Sequence, residues 1–374
     1  MKPPALGAKV SALLATGRVA NLPTVWSNVL AGFVVSHAYL DYHWIEGTPL
    51  WGWLLAFLLI ATSMIYTGGC MLGDARDIDF DREHRPNRPL PQGILSISFI
   101  TLTAWSLLLG GLLIITLSFF LSALASFEVG WKELAASLSS GKISSGKIME
   151  ASQLHVISIA ILLVGAVVTY AFTHKKNRLI ALPLMASCRL LLVFLAIAAA
   201  HLSAFDHWPD DAPVFDLDWI KPWMILMAGT VGLYTLLLSW VASTESLPGQ
   251  FPYRKILAAC MFALPAVTLI LTPLILSTYQ APPYRYEHDN HDLTSVLSPP
   301  NIIPHCLFLI LALAWIAFSL KALHLSKPAF VSRALAGFCL LDAALIAAHS
   351  PTAAVTCLAL FGLALLLQKV TPAT

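Results

Sequence analysis

Apolar stretches long enough to cross a membrane recur along the whole of this chain, and that recurrence limits the folds open to it. A helix needs about 20 apolar residues to span roughly 30 Å of hydrocarbon. Such runs lie near 22–40, 50–72, 97–124, 154–172, 179–204, 219–243, 254–278 and 302–323, and the tail at 333–369 holds one long helix or two broken near Pro351. The expected fold class is therefore all-α, one polytopic transmembrane helical bundle of nine or ten spans over residues 1–374, with 125–153 as an extra-cytoplasmic loop insertion. A composition 58% hydrophobic and only 11% charged excludes a soluble globule of this length.

Residues 1–20 lack an apolar core followed by a small-residue cleavage site, so no removable signal peptide is expected. All six cysteines fall in or beside the apolar runs, which suits small buried hydrophobes better than a disulfide framework or a metal-binding pair. Short loops on the inner face of a membrane keep an excess of Lys and Arg. With the N-terminus and the loops after spans two, four, six and eight on one side, 15 of the 22 basic residues lie there. The opposite loops hold Lys132, Lys142, Lys147, Lys221 and Arg285, while Arg189 and Lys369 are left out of the count. That side is expected to face the cytoplasm of a bacterial inner membrane. No basic stripe suggests nucleic acid.

Against this apolar background the segment Gly73–Gly93, GDARDIDFDREHRPNRPLPQG, packs four aspartates and four arginines between two spans. Asp74, Asp77 and Asp81 stand at i, i+3 and i+7, so on a helix their carboxylates share one face, while Asp79 points away. Like charges one turn apart repel. A bound cation such as Mg²⁺, which prefers hard oxygen ligands, explains the alignment economically; a solvated, charge-mixed loop is the other reading of the spacing.

Other polar segments carry less. Gly141–Lys147 imitates the start of a phosphate-binding loop, but Ile148 stands where a Mg²⁺-binding hydroxyl is needed and no strand precedes it. The run of Glu287, His288, Asp289, His291 and Asp292 has metal-binding residue types within a solvated, Pro-flanked loop. Asp206, Asp210, Asp211, Asp216 and Asp218 share no helical face. Within the membrane, where ionisable groups are costly, Arg189 is placed either to meet an anionic ligand in an internal cavity or to form a buried pairing. Asp342 and His349 are read as structural hydrogen-bonding groups.

Alternate helix connections emerge at one membrane face, so three of them belong together. The second brings the aspartates with Arg82, Arg85 and Arg88; the fourth brings Tyr170, His174, Lys175, Lys176 and Arg178; the sixth brings Tyr234, Glu245, Arg254 and Lys255. Carboxylates, a metal and cations at the mouth of an apolar bundle suit a polyanion with an apolar tail, and a lipid diphosphate fits. Mg²⁺ on the aspartates would bridge diphosphate oxygens while Arg and Lys neutralise charge as the carbon–oxygen bond breaks.

At these residues the sequence resembles the UbiA superfamily of intramembrane prenyltransferases. That family's NDxxDxxxD, followed by an arginine pair and RPLPxG, is answered here by GDARDIDFD, Arg85 and RPLPQG, with Gly73 in place of the asparagine. Arg18, Asn21, Pro23, Asn28 and Gly32 resemble the family's opening. The resemblance implies metal ligation by Asp74, Asp77 and Asp81 and catalytic roles for these with Tyr170 and Lys175. It implies Arg85, Arg88, Arg189, Glu245 and Asn28 at the substrate. Its expected partners are a prenyl diphosphate donor, an unnamed acceptor and the lipid bilayer, with Mg²⁺ as cofactor.

Two departures bear on activity. The family's YxxxK appears as Tyr170 with His174 at the expected place and Lys175 one residue later, and the second aspartate motif after the sixth span is reduced to Glu245. A catalytically degenerate isoprenoid-binding or lipid-handling protein is the alternative that this loss motivates. Cys188 with Arg189, and RALAGFCLLDA from Arg333, are similar to a divergent bacterial branch of the superfamily.

Overall fold

The computed structural model describes residues 5–38, 50–140, 148–175, 177–203, 220, 222–245, 249, 251–278, 299–347 and 349–371. Within these, the side chains at 37–38, 50–51, 120–153, 201–203, 269–278 and 299–302 fall outside the description. So do the three candidates at Gly141–Lys147, 206–218 and 287–292.

Lipid offers the backbone no hydrogen-bond partners, so each segment satisfies its own as helix. Among the described residues twelve helices follow in order: α1 (Leu6–Thr16), α2 (Leu22–Ala38), α3 (Leu50–Arg76), α4 (Ile78–His84), α5 (Ile97–Ser140), α6 (Ile148–Thr173), α7 (Arg178–Ser203), α8 (Pro222–Ala242), α9 (Arg254–Thr278), α10 (Pro299–Ala322), α11 (Lys327–Ile346) and α12 (Pro351–Val370). Among the described residues nine stretches are long and apolar enough to cross a membrane. The 25-residue α9 corresponds to the expected run at 254–278.

The tail resolves into two helices. Ser326 and Ser350 each cap a helix that has proline in its first turn, accepting hydrogen bonds from the amides of Ala329 and Ala353. α11 opens at Lys327, six residues before the expected start of the tail. The insertion at 125–153 is also different from expectation, because α5 stays helical for 44 residues to Ser140 and α6 opens at Ile148. At 1.5 Å per residue α5 is about 66 Å long, roughly twice the hydrocarbon thickness.

α2 and α11 form the centre of the bundle, with 72% of the span buried in each against 17% for α12. α2 packs on α7, α11 and α12, while α3 packs on α5 and α6. Small residues set two of these approaches. A Cβ at Gly68 would come 2.8 Å from the Ala104 carbonyl oxygen, and one at Gly32 would come 2.9 Å from that of Val193.

Candidate functional site

α3 does not carry all three aspartates. It ends at Arg76, Asp77 stands at the junction with φ −86° and ψ 4°, and α4 starts at Ile78. The continuous helix assumed from the spacing is therefore corrected to two helices. The amides of Asp77 and Asp81 still bond the carbonyls of Gly73 and Asp77, so the face bends without being lost. Beyond α4 the RPLPQG segment folds into tight turns closed by Gln92 N–H to Arg88 and Gly93 N–H to Leu90. Gly93 takes φ +72°, a left-handed value that suits glycine, and buried Leu90 and Leu95 pin the segment to the core.

This packing aims Arg88 back at the carboxylates. Its Nη1 stands 2.8 Å from Asp81 Oδ2 and 3.3 Å from Asp74 Oδ1, so one cationic nitrogen bridges two acids. Arg18 adds a contact of 3.6 Å to Asp74. Its backbone is left-handed, φ 48° and ψ 43°, an uncommon state for a side-chain-bearing residue and the kind of strain that collects at functional sites. The left-handed turn falls between α1 and the short 3₁₀ turn Val19–Asn21. The sequence showed Arg18 only as part of an opening motif, because nothing in it marks a positive φ.

Asp77 has different partners. His174 Nε2 lies 3.0 Å and Lys175 Nζ 3.5 Å from its Oδ2. Burial pushes the Asp77 carboxyl up, but the hydrogen bond and charge of His174, with Lys175, outweigh it and hold the group below the usual aspartate range. Tyr170 positions the imidazole by stacking on it at 4.9 Å between ring centroids and by accepting at its carbonyl from Nδ1 at 2.9 Å. The end of α6 thus delivers both His174 and Lys175 to one carboxylate. Lys175 also lies 3.7 Å over the Phe80 ring.

Glu245 follows α8 and sits within electrostatic reach of Arg85, Arg18, Arg88 and Lys327. Burial nonetheless raises its carboxyl above the ordinary value, and its Oε1 is enclosed with no hydrogen-bond partner. Arg85 is half-buried. Asp79 is 91% exposed and meets only Arg82, at 3.2 Å, on the outside of α4.

Two groups expected at this mouth lie elsewhere. Tyr234 is buried within α8, where its hydroxyl donates to the Ala334 carbonyl at 3.0 Å, eleven positions before Glu245. Arg254 and Lys255 line a cleft between α9 and α10. Arg189 and Asn28 are deeper in the bundle. Arg189 donates to Asn28 Oδ1 at 2.7 Å and to Thr24 Oγ1 at 2.9 Å, while Asn28 Nδ2 donates to Asp342 at 2.8 Å.

For a divalent cation the donor chemistry fits. Asp81 is 2% exposed and its Oδ1 has no partner, an expensive arrangement for a carboxylate oxygen unless a ligand takes it up. Arg88 Nη1, between Asp74 and Asp81, is the cation already neutralising both. Among the described residues no three carboxylates are gathered as a formed metal cage. Cation and arginine are alternatives for the same oxygens.

Residues 23–130, from α2 through the aspartates into α5, match the UbiA prenyltransferase family. Over 80 residues the chain is 35% identical to digeranylgeranylglyceryl phosphate synthase of Methanoculleus marisnigri, an alignment covering 19% of this chain and 29% of that protein. The chain thus spans under a third of that relative's length. A solved structure of a digeranylgeranylglyceryl phosphate synthase in membranes aligns over 91% of this chain and 97% of its own, with 17% identity and a TM-score of 0.48. The helices that position the aspartate site, from α2 into α5, are thus the part of the chain that matches the UbiA prenyltransferase family.

Proposed function

We propose that this chain is a Mg²⁺-dependent membrane prenyltransferase, moving an isoprenoid group from a prenyl diphosphate to a small or lipid-like acceptor. One observation carries the reading: Arg18 and Arg88 pair with Asp74, Arg88 also with Asp81, and His174 and Lys175 with Asp77, all at one end of an apolar bundle. The excess of Lys and Arg in the connections on that side supports a site facing the cytoplasm.

Asp74, Asp77 and Asp81 would hold the metal, which when bound would supply Lewis-acid neutralisation of the diphosphate. Arg88, Arg85 and Lys175 would offer their charge to the diphosphate oxygens. These cations stabilise the negative charge that builds on the leaving group. Tyr170 keeps His174 and the end of α6 in place. The enclosed helices shelter the allylic tail from water, which prevents simple hydrolysis. The relative's name contains geranylgeranyl groups and glyceryl phosphate, so geranylgeranyl diphosphate and a geranylgeranylglyceryl phosphate are the first donor and acceptor to try.

The test is diphosphate release by the purified full-length protein with Mg²⁺, geranylgeranyl diphosphate and a panel of acceptors. Release that needs both acceptor and Mg²⁺ is expected. Tight donor binding without release would favour a lipid-handling protein, the reading suggested by Glu245 standing alone after α8.

Glu245→Gln separates the two sides of that residue. A raised folded-state pKa means that stability falls as pH rises from about 4.3 to the folded value, and is constant above it. The glutamine variant should lose this dependence and melt no lower than the parent at neutral pH. Its turnover should drop by about tenfold, the scale for a group supporting a metal site. Unchanged turnover would remove Glu245 from the site.

A further inference from the structure

A second cleft opens on the same membrane face, between the first turns of α9 and the last turns of α10, with a volume of about 970 Å³. Its rim is basic. Arg254 opens α9, Lys255 follows it, and Lys321 and His324 face them from the end of α10. The walls are apolar, with Ile256, Phe262 and Leu320 among the lining residues. Ile256 is 56% exposed and Phe262 37%, so the cleft opens sideways toward lipid. Among the described residues no acidic side chain lines it.

That combination points to an occupant. An anion with an apolar tail satisfies both rim and wall, and the N-terminal amides of α9 add to the attraction for a phosphate. Without a carboxylate to anchor Mg²⁺, the rim suits a singly charged phosphodiester better than a metal-bound diphosphate. Basic pockets between membrane helices, at the level of the headgroups, are recurrent sites for anionic lipids. We propose that the α9–α10 cleft binds one anionic phospholipid, its phosphate held by Arg254, Lys255 and Lys321 and an acyl chain lying along Ile256 and Phe262. The site shares no lining residue with the aspartate cluster.

Native mass spectrometry of the full-length protein, released from detergent after incubation with lipids of matched acyl chains, tests this. Phosphatidylglycerol should be retained as one molecule per chain, at least tenfold more strongly than phosphatidylcholine. The doubly substituted Lys255→Gln/Lys321→Gln protein, altered only at exposed side chains, should lose about tenfold of that preference, whereas Lys369→Gln should keep it. Inorganic phosphate at equal concentration should not displace the lipid. The proposal is overturned if phosphatidylcholine is held equally, if the double variant retains phosphatidylglycerol as the parent does, or if inorganic phosphate competes. Displacement by geranylgeranyl diphosphate, with Mg²⁺ and at a lower concentration than phosphatidylglycerol, would also overturn it and make the cleft a donor site.

Discussion

Asp81→Asn should lower turnover by at least about 10²-fold, equivalent to about 2.7 kcal/mol of transition-state stabilisation. The substitution keeps the shape of the side chain and removes its charge. Asp81 is 2% exposed, binds Arg88 through Oδ2 at 2.8 Å and keeps Oδ1 without a partner. An amide offers a metal one neutral oxygen in place of two charged ones, and it leaves Arg88 more strongly tied to Asp74. Asp74→Ala should act on the same scale, since it removes the acid shared by Arg18 and Arg88. Asp79→Ala is the control. That carboxylate is 91% exposed and its i,i+3 pair with Arg82 is worth well under about 1 kcal/mol, so activity should stay within about twofold. Initial rates of diphosphate release across a Mg²⁺ titration read all three. The first two should shift the Mg²⁺ requirement upward as well as lowering the plateau, which a merely destabilised protein would not do. Full activity in Asp81→Asn and Asp74→Ala would sink the metal assignment.

The spans were legible because lipid imposes a simple rule: long apolar runs become helices, and their lengths are set by hydrocarbon thickness. The i, i+3, i+7 spacing brought Asp74 and Asp81 to one arginine, Arg88, although the single helix assumed for it is two. What escaped was set by contacts distant in sequence. The break at Asp77 has no proline at the junction itself, and there Asp77 pairs with His174 and Lys175 while Arg88 pairs with Asp74 and Asp81, partners distant in sequence from the junction or beyond it. Arg18 needed a left-handed backbone that its neighbours do not announce. Tyr234 lies on α8 with the right side chain for a site, yet its hydroxyl finds Ala334, 100 positions away. Arg254 and Lys255 reach the expected membrane face but line a cleft closed by α10, a pairing that counting loops cannot assign. The length of α5 was missed because polar residues after 124 were read as loop, although Glu128, Lys132 and Glu133 among them are good helix formers.

Asn28→Leu should destabilise the protein by about 3–5 kcal/mol, the cost typical of stripping one partner from a buried charged pair. Asn28 is 0% exposed and links three helices, accepting from Arg189 at 2.7 Å and donating to Asp342 at 2.8 Å. Ser27 adds a hydrogen bond of 2.6 Å to the same Asp342 oxygen. Hydrogen bonds between membrane helices average only about 0.6 kcal/mol, so the loss of two neutral ones would be modest. The charges decide the size. Leucine leaves the Arg189 guanidinium on α7 and the acid of Asp342 on α11 each one hydrogen bond short, in the most enclosed part of the bundle. Asp342→Asn should cost less than half as much, because Ser27 and Asn28 can still donate to the new amide oxygen. Arg189 also keeps Thr24 and Asn28 in that variant. Unfolding in mixed detergent micelles, followed by tryptophan fluorescence, ranks the two variants. An Asn28→Leu protein within about 1 kcal/mol of the parent would mean that the Arg189–Asn28–Asp342 chain does not hold α2, α7 and α11 together.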